Sequence, residues 1–308
     1  MNKTARLRLL AAVTFVSLVF TFYAYNQRQS VSWWRQRRRV PGAIIVGAKK
    51  CGTRALLEYL RLHPHVRAPG PEVHFFDRYY HRGLAWYRRQ MPATFAWQLT
   101  VEKTPSYFVH RDAPSRIWQM SPNTKLILVV REPVTRAISD YTQSYIKSQT
   151  TRSFDELAFT SAPSSASTSA SVQHRQPHTS VSTVNTSMPM ISIGLYAVHL
   201  RRWLQHFAPS QIHVVDGHKL ITEPPTEMQR LERFLQLPPR IKDSDFIYVN
   251  GSRFPCVWRR PARTRSLLPF QSSRASMKCL GHSKDSNETE KPNDERKEPM
   301  ATDWPVLH

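Results

Sequence analysis

A buried strand that runs into a glycine-bounded loop, and from there into a helix, is the feature that most constrains the fold of this chain. Residues 43–46 read Ala-Ile-Ile-Val, and the loop that follows, residues 47–53, is here called the phosphate loop. Backbone N–H groups in such a loop, together with the N-terminus of the next helix, bind phosphate. The segment therefore predicts an anion site where a strand meets a helix.

The order of residues in the phosphate loop argues against one class of phosphate enzyme. Gly47 and Gly52 have the spacing of the G-x-x-x-x-G-K-[ST] motif, but Thr53 occupies the lysine position. The lysines, Lys49 and Lys50, lie inside the loop instead. A nucleoside triphosphate enzyme, such as a nucleotide kinase, needs that lysine on the β- and γ-phosphates and a hydroxyl for Mg²⁺ directly after it. We therefore expect a different phosphorylated ligand.

Further apolar runs predict the rest of a parallel sheet. Strands are expected at residues 98–102, 125–130 and 211–216, and helices at 53–63, 134–145 and 196–207. The continuous run KLILVV at 125–130 is typical of a strand buried on both faces. Strands that alternate with helices indicate an α/β fold with a parallel sheet flanked by helices. The carboxyl ends of its strands would bring the phosphate loop, residues 103–106 and Arg131 together at a ligand site.

The charge of the chain indicates a polyanionic partner. Lysine and arginine number 44 against 22 aspartates and glutamates, so the formal net charge is +22. Binding to a polyanion is driven by the release of its counterions, and both nucleic acids and acidic glycans fit this description. A nucleic-acid partner would require a body in the cytosol or nucleus.

The N-terminus predicts a membrane anchor. Residues 9–25 carry no charge and follow Lys3, Arg6 and Arg8. At about 1.5 Å per residue this stretch is slightly short of a ~30 Å hydrocarbon core. A convincing cleavage site is missing, so we expect an uncleaved signal anchor over 9–25, a cytoplasmic tail over 1–8 and an arginine-rich stem over 26–40. The arginines of the stem oppose the positive-inside rule, so charge alone leaves the orientation open.

Glycosylation patterns and cysteines favour a lumenal body, and therefore argue against nucleic acid. Asn185, Asn250 and Asn287 each begin an Asn-x-Ser/Thr acceptor pattern. Of the three cysteines, Cys256 and Cys279 form a local disulfide in an oxidising compartment, or else all three are free thiols.

Two segments differ in composition from the predicted body, residues 41–280. Residues 160–187 are rich in serine and threonine and have almost no large apolar side chains, which predicts a disordered loop. Residues 281–308 are polar and without periodicity, so neither helix nor strand is predicted there.

Five stretches of the chain resemble the heparan sulfate glucosaminyl 3-O-sulfotransferases, which are Golgi type II membrane enzymes. The stretches are residues 44–60 (IIVGAKKCGTRALLEYL), 72–87 (EVHFFDRYYHRGLAWY), 102–108 (EKTPSYF), 126–143 (LILVVREPVTRAISDYTQ) and 193–203 (IGLYAVHLRRW). The resemblance implies a P-loop-like sulfotransferase fold. It also implies transfer of a sulfuryl group from 3′-phosphoadenosine 5′-phosphosulfate (PAPS) to the 3-hydroxyl of glucosamine in heparan sulfate, without a metal or nucleic acid. The catalytic domain would lie in the Golgi lumen, and Cys256 and Cys279 match a disulfide of the family.

By position, the resemblance also implies the residues that bind the donor. Lys50 would stabilise negative charge on the leaving phosphate, and Cys51 stands where the family usually has glycine. Arg131 and Ser139 match the pair that binds the 3′-phosphate. The complete donor set implied is Lys50, Cys51, Gly52, Thr53, Arg54, Arg131, Ser139 and Lys284.

The acceptor side is implied by residues 72–78, here called the acceptor segment, and by residues 103–106. Glu72 would be the base that removes the hydroxyl proton, with His74 and Asp77 orienting the site beside it. Without the resemblance, Phe75 and Phe76 are equally well explained as core residues. The complete acceptor set implied is Glu72, Val73, His74, Phe75, Phe76, Asp77, Arg78, Lys103, Thr104, Pro105 and Ser106.

One departure from the family supports an alternative function. Around Lys284 a donor-binding stretch keeps only its lysine and gains Asp285 and Glu288. Acids near the phosphates of a nucleotide repel it. The alternative is therefore a catalytically weak or inactive relative that binds heparan sulfate.

Overall fold

A sheet of five parallel strands lies at the centre of the protein. It is seen in a computed structural model, which describes residues 13–23, 25, 35–160, 182–249, 252–259 and 276–280. Its strands, in the spatial order β2-β3-β1-β4-β5, are β1 (Ala43–Gly47), β2 (Val66–Arg67), β3 (Leu99–Lys103), β4 (Lys125–Val130) and β5 (Ile212–Asp216). The predicted α/β class with a parallel sheet is confirmed.

Strand β1 is the middle of this sheet and forms the centre of the core. All five of its residues are buried, and Ala43 pairs with Val101 of β3 on one side and Lys125 of β4 on the other. A strand covered on both faces needs the continuous apolar run that its sequence supplies. Since all neighbours are parallel, the carboxyl ends of β1, β3 and β4 meet at one edge.

Helices join and cover these strands. They are α1 (Thr53–Leu60), α2 (Gly83–Gln90), α3 (Ala113–Met120), α4 (Pro133–Ile146), α5 (Phe154–Ala158), α6 (Pro189–Ser192), α7 (Tyr196–Trp203), α8 (Lys219–Thr222) and α9 (Pro224–Leu235), with short 3₁₀ turns at Tyr80–Arg82, Pro105–Phe108, Pro209–Gln211 and Asp243–Asp245. Helix α4 follows β4 directly. It begins at Pro133, and the Glu132 carboxylate caps it by accepting hydrogen bonds from the N–H groups of Val134 and Thr135. Proline at the first helical position and an acidic cap both favour a helix start.

A second sheet is formed by the C-terminal part of the described chain. Its antiparallel strands are β6 (Phe246–Ile247), β7 (Phe254–Arg259) and β8 (Ser276–Leu280). A disulfide between Cys256 and Cys279 joins β7 to β8, as the resemblance implied. The sequence did not predict these strands, because their pairing depends on contacts distant along the chain.

The expectation of a loop without structure over residues 160–187 is wrong at its ends. Phe159–Thr160 pairs with Thr183–Val184 in a short antiparallel ladder, and Asn185 N–H donates to the Ala158 carbonyl. Backbone pairing, which a polar composition does not forbid, orders these ends. Residues 161–181 lie outside the described residues.

Residues 13–23, part of the expected anchor, form a helix. Within the described residues, no helix combines the length and the apolar character needed to cross a membrane. Residues 9–12, the first part of the expected anchor, lie outside them, as does the tail at 281–308.

Candidate active site

The phosphate loop begins at the end of the central strand and leads into α1. Lys50 and Gly52 have left-handed φ angles of 71° and 104°, and α1 starts at Thr53. The N-cap residue of α1 is Gly52, which has no side chain to cap the helix. The first N–H groups of α1 are therefore available to an anion. A Cβ at Gly47 would lie 2.5 Å from the Phe108 Cβ, so this close approach requires glycine.

A cavity of about 530 Å³ opens beside the loop and carries positive charge. Its lining residues come from the loop, from the end of β4, from α4 and from the start of β7; they are Lys50, Arg131, Thr135, Ile138, Ser139, Thr142, Gln143, Ile146, Lys147 and Arg253. No acid is among these described lining residues. The structure thus brings the predicted Lys50, Arg131 and Ser139 together.

The cations of the cavity are held in a setting that favours a bound anion. Burial lowers the pKa of Lys50, and Lys49 and Arg253 lower it further while Asp140 opposes them. Burial and Arg253 also lower the pKa of Arg131. Lowered pKa values mean that the positive charges are poorly solvated and repel one another, so a polyphosphate-like anion would stabilise them. The cavity therefore fits a phosphorylated donor.

A buried ion pair on α4, between Arg136 and Asp140, contacts Lys49 of the phosphate loop. Asp140, on α4, lies 2.8 Å from Lys49 Nζ and accepts a hydrogen bond of 3.1 Å from Arg136. The fully buried Arg136 also donates to the carbonyls of Lys49 and Met190. Sequence reasoning missed Arg136. Its signal was an arginine on α4 at the helical spacing that places Asp140 one turn later.

The Cys51 side chain points away from the cavity and into the protein. It is 1% exposed, and its Sγ lies 3.4 Å from the Tyr196 hydroxyl. Burial raises the pKa of the thiol, so Cys51 is neutral. Tyr196 also donates to the Arg131 carbonyl at 2.8 Å, and thereby joins the phosphate loop to the end of β4. The Cys51 side chain is therefore not placed to bind an anion, and the Cys51 N–H donates to the Ala48 carbonyl at 3.2 Å.

The acceptor segment forms a chain of charged groups that ends at the surface. His74 Nδ1 lies 2.9 Å from Asp77 Oδ2, and its Nε2 lies 3.3 Å from Glu72 Oε2. The other Glu72 oxygen pairs with Lys103 Nζ at 2.5 Å, and Ser106 Oγ donates to Asp77 at 2.6 Å. The structure therefore brings together Glu72, His74, Asp77, Lys103 and Ser106, as predicted.

Asp77 is held as an anion that orients the imidazole. Burial alone would raise its pKa, but hydrogen bonds from Ser106 and His74 outweigh this effect and lower the pKa below the usual value. An ionised Asp77 accepts a hydrogen bond from the Nδ1–H group of His74, which leaves Nε2 directed at Glu72.

Several predicted acceptor-binding residues support the site without lining its surface. Five of them have buried side chains: Val73, Phe75, Phe76, Thr104 and Pro105. The Phe75 ring stacks with Tyr87, and the Phe76 ring packs edge-on against Tyr87 and Tyr107, which makes them core residues. Arg78 is exposed beside the segment. Arg54 is exposed at the start of α1, where Thr53 is buried.

The two halves of the site adjoin through the sheet. Ile45 of β1 pairs with Lys103 of β3, and the Thr104 N–H donates to the Ile45 carbonyl at 3.2 Å. The phosphate loop starts two residues after Ile45, and Glu72 is paired with Lys103. An anion bound at the loop would therefore lie at the same sheet edge as the carboxylate of Glu72.

Lys284, the last of the predicted donor-binding residues, lies outside the described residues. In the described part of the chain, no group of three or more histidines, cysteines or carboxylates is placed to hold a metal ion. Arg253 and Tyr196 belong to the site and were missed, because Arg253 is brought there only by the second sheet.

Comparison with known proteins gives matches over most of the chain. A sulfotransferase domain family model matches residues 41–295. Mouse heparan sulfate glucosamine 3-O-sulfotransferase 3B1 is 50% identical over 220 residues, which is 71% of this chain and 52% of that protein. Human heparan sulfate glucosamine 3-O-sulfotransferase 6 is 48% identical over 248 residues, covering 80% of this chain and 64% of that protein.

Two further matches have lower sequence identity. Human heparan sulfate glucosamine 3-O-sulfotransferase 5 is 44% identical over 227 residues, which is 71% of this chain and 60% of that protein. The solved structure of a sulfotransferase from Alicyclobacillus acidocaldarius aligns with a TM-score of 0.54 at 22% identity, covering 69% of this chain and 87% of that one, and so shares the fold. The chain spans about half the length of the first curated relatives it matches.

Proposed function

The chain belongs to the sulfotransferase domain family, and from this membership we propose that it transfers a sulfuryl group from PAPS to the 3-hydroxyl of glucosamine residues in heparan sulfate. The observation that carries the proposal is one sheet edge with two chemically different halves. One half is a basic cavity beside a phosphate loop, and the other is a hydrogen-bonded cluster around an exposed carboxylate.

The basic cavity is the half that suits the donor. Lys50 and the first N–H groups of α1 would bind the 5′-phosphosulfate, and Arg131 with Ser139 would bind the 3′-phosphate. PAPS supplies the activated sulfuryl group when it is bound. Lys50 then serves as the charge that stabilises the departing phosphate oxygen, and its partial burial strengthens that interaction.

Glu72 is the residue of the second half that can accept a proton. Its side chain is 36% exposed, so a sugar hydroxyl can reach it, and Lys103 and His74 contact its two carboxylate oxygens. As the hydroxyl oxygen forms its bond to sulfur, its proton passes to Glu72. Asp77 keeps the His74 ring oriented during this step.

The acceptor is proposed from the relatives and from charge. The curated relatives are named for heparan sulfate glucosamine 3-O-sulfotransfer. A chain with a formal net charge of +22 attracts a highly sulfated polysaccharide. Described basic residues near the acceptor segment, among them Arg78 and Lys103, would contact its carboxylates and sulfates.

We also propose that the body of the protein lies in the Golgi lumen, anchored by residues 9–25. The Cys256–Cys279 disulfide supports an oxidising compartment. Thr186 and Ser187, the other two residues of the Asn185 acceptor pattern, are exposed, which suits glycosylation. Sensitivity of the protein to an endoglycosidase, abolished by Asn185→Gln together with Asn250→Gln and Asn287→Gln, would support this placement; an unglycosylated wild type in cytosolic fractions would contradict it.

The decisive experiment measures sulfate transfer to heparan sulfate. Purified protein is incubated with ³⁵S-labelled PAPS and heparan sulfate, and the product is digested to locate sulfate on the 3-oxygen of glucosamine. We expect label at that position, and we expect Glu72→Gln to reduce kcat by about 100-fold because the proton acceptor is lost. The nucleotide left when PAPS loses its sulfuryl group is 3′-phosphoadenosine 5′-phosphate. Calorimetry should show that the Glu72→Gln variant binds it with the same affinity as wild type.

A matched control is Glu223→Gln, an equally conservative change at an exposed glutamate that precedes α9. It should retain wild-type activity. Folded wild type that binds the nucleotide but transfers no label would exclude the enzyme and favour the inactive glycan-binding relative. Label at another sugar position would exclude the proposed regiochemistry.

A further inference from the structure

Glu102 is a buried carboxyl group directly behind the acceptor segment. It lies near the end of β3, is 0% exposed, and accepts hydrogen bonds from Thr104 Oγ1 at 2.5 Å and from the Tyr87 hydroxyl at 3.3 Å. Its neighbour Lys103 points the other way along the pleat, to Glu72. Nothing in the proton transfer itself uses Glu102, so its burial needs another reason.

That reason is found in three consecutive backbone N–H groups of the acceptor segment. The Val73 N–H faces the Glu102 carboxylate and favours its ionised form. The His74 N–H donates to Thr104 Oγ1 at 3.4 Å, and Thr104 in turn donates to Glu102. The next N–H, of Phe75, donates to the Tyr107 hydroxyl at 2.8 Å.

The backbone held in this way is one that would otherwise be disfavoured. His74 has a φ angle of 52°, in the left-handed region that a side chain with a Cβ rarely occupies. Such a conformation persists only where surrounding contacts fix it. The contacts from Glu102, Thr104 and Tyr107 supply that constraint from inside the protein.

We propose that Glu102 is a positioning residue for the acceptor base, whose ionised carboxylate holds the backbone at residues 73–75 so that Glu72 and His74 face the acceptor hydroxyl. This inference rests on the proposed sulfotransferase function. It assigns a third carboxylate to the site, beside Glu72 and Asp77, one that never touches substrate and acts through the segment it holds.

The surroundings make this carboxylate sensitive to pH. Burial raises the pKa of Glu102 to about 7, against the opposing effects of Thr104, the Val73 N–H, Tyr87 and Lys103. The groups that face it are Tyr87 from α2, Tyr107 and Thr104 from the turn after β3, Lys103 from β3 and Val73 from the acceptor segment. Three groups direct a hydrogen at the Glu102 carboxylate: the Thr104 hydroxyl, the Tyr87 hydroxyl and the Val73 N–H. Protonation places a hydrogen on one carboxylate oxygen, so one of these three groups loses its acceptor.

The test compares pH profiles of kcat for heparan sulfate sulfation between pH 5.5 and 8.5. Wild type should show a component of its activity that falls as pH decreases through about 7. Glu102→Gln keeps the size of the side chain but resembles its protonated form at every pH. We expect its kcat to be about 10-fold below wild type at pH 8, within 2-fold at pH 5.5, and to lack that component.

Tyr107→Phe distinguishes positioning from a general loss of structure. It leaves the Phe75 N–H without its acceptor but does not titrate in this range, so it should lower kcat by a similar factor at all pH values. Both variants should bind 3′-phosphoadenosine 5′-phosphate as wild type does. A Glu102→Gln profile parallel to that of wild type would overturn the inference.

A second pair of variants serves if Glu102→Gln does not fold. Thr104→Val removes the donor nearest to Glu102, so the component near pH 7 should move to higher pH. Thr104→Ser restores the hydroxyl and should return the component to its wild-type position. Identical positions in both variants would refute the role of Glu102. Failure of the proposed function is distinct, because wild type would then transfer no sulfate at any pH.

Discussion

His74 lies between two carboxylates that hold its ring in one orientation, and this pairing sets what the site can do. Asp77 is 2.9 Å from Nδ1 and Glu72 is 3.3 Å from Nε2. An ionised carboxylate only accepts hydrogen bonds, so His74 contacts Asp77 and Glu72 together through an N–H group on each ring nitrogen. Glu72, as the outer member, receives two ordered neighbours, His74 and Lys103, and keeps an exposed face for the acceptor.

Asp77→Asn should therefore impair catalysis while leaving donor binding intact. Ser106 and His74 both contact the Oδ2 oxygen of Asp77. An amide oxygen in that place carries no negative charge and accepts more weakly, so the imidazole is oriented less firmly. We expect kcat to fall by about 10- to 100-fold with an unchanged affinity for 3′-phosphoadenosine 5′-phosphate. Steady-state kinetics and calorimetry measure the two quantities.

The control for this change is Asp155→Asn, at an exposed aspartate of α5. It should retain wild-type kcat. The Asp77 pKa is lowered in the folded protein, so its stabilising contribution is present above the ordinary value of 3.8 and is lost as pH falls below it. Equal kcat values for Asp77→Asn and wild type would contradict the role given to Asp77.

At the scale of elements, the donor side depends on contacts between segments that are distant in sequence. Tyr196, at the start of α7, donates to the carbonyl of Arg131 and lies against the thiol of Cys51. It therefore fixes the end of β4 relative to the phosphate loop. Those two places carry the groups proposed to bind opposite ends of the donor.

Tyr196→Phe should weaken donor binding. The variant loses one hydroxyl that donates to a carbonyl, a change of about 1 kcal/mol, and the Arg131 backbone gains freedom. We expect the Kd of 3′-phosphoadenosine 5′-phosphate to rise about 5-fold in calorimetry. Since the acceptor segment is untouched, the KM for heparan sulfate should stay within 2-fold of wild type.

Tyr141→Phe is the matched control for this prediction. It removes a hydroxyl that likewise donates to a backbone carbonyl, that of Arg152, but away from the phosphate loop. Its Kd should equal that of wild type. A loss of affinity of the same size in both variants would show that the Tyr196 contact has no special effect on the donor site.

The sequence was most informative where structure is local or buried on both faces. The run at Lys125–Val130 is a strand with the predicted bounds, because its continuous apolar side chains suit only a covered position. The helix that follows was predicted to within one residue at each end, since Pro133 and Glu132 mark its start. Glu72, His74 and Asp77 were found through the resemblance, and the structure brings them together.

The residues that escaped prediction are those whose roles depend on contacts across the fold. Glu102 reads as one residue of a strand, and only its contacts with Tyr87 and the acceptor segment reveal its role. Arg253 reaches the cavity through the second sheet. The resemblance implied Cys51 as a donor-binding residue, yet Tyr196 and the core bury its side chain. No local pattern encodes these distances.

At the scale of the whole molecule, the buried Glu102 carboxyl links activity to stability. Burial raises the pKa of Glu102 to about 7, so in the folded protein the carboxyl group stays protonated up to about that pH. In the unfolded chain it ionises near the ordinary pKa of 4.5. Between these values the folded protein binds more protons than the unfolded one. Its contribution to the free energy of unfolding is therefore greatest at low pH and is lost as pH rises toward 7.

The ionised form that we propose for catalysis is thus the form that destabilises the fold. A cost of about 3 kcal/mol at pH 8 is expected from a shift of this size. Functional sites commonly carry such local costs, which the rest of the core offsets. The sheet core around β1, all of whose residues are buried, provides the compensating stability.

Glu102→Gln should remove this pH dependence. Urea unfolding, followed by tryptophan fluorescence between pH 5 and 8, gives the free energy of unfolding for wild type and variant. The stability of the variant relative to wild type should be about 2 kcal/mol more favourable at pH 8 than at pH 5, whatever the constant cost of the lost hydrogen bond. Other titrating groups are common to both proteins and cancel in this difference. Glu223→Gln, at an exposed site, should show no such change with pH; a constant difference between Glu102→Gln and wild type would mean that Glu102 does not ionise in this range, and the link between its charge and the acceptor segment would fail with it.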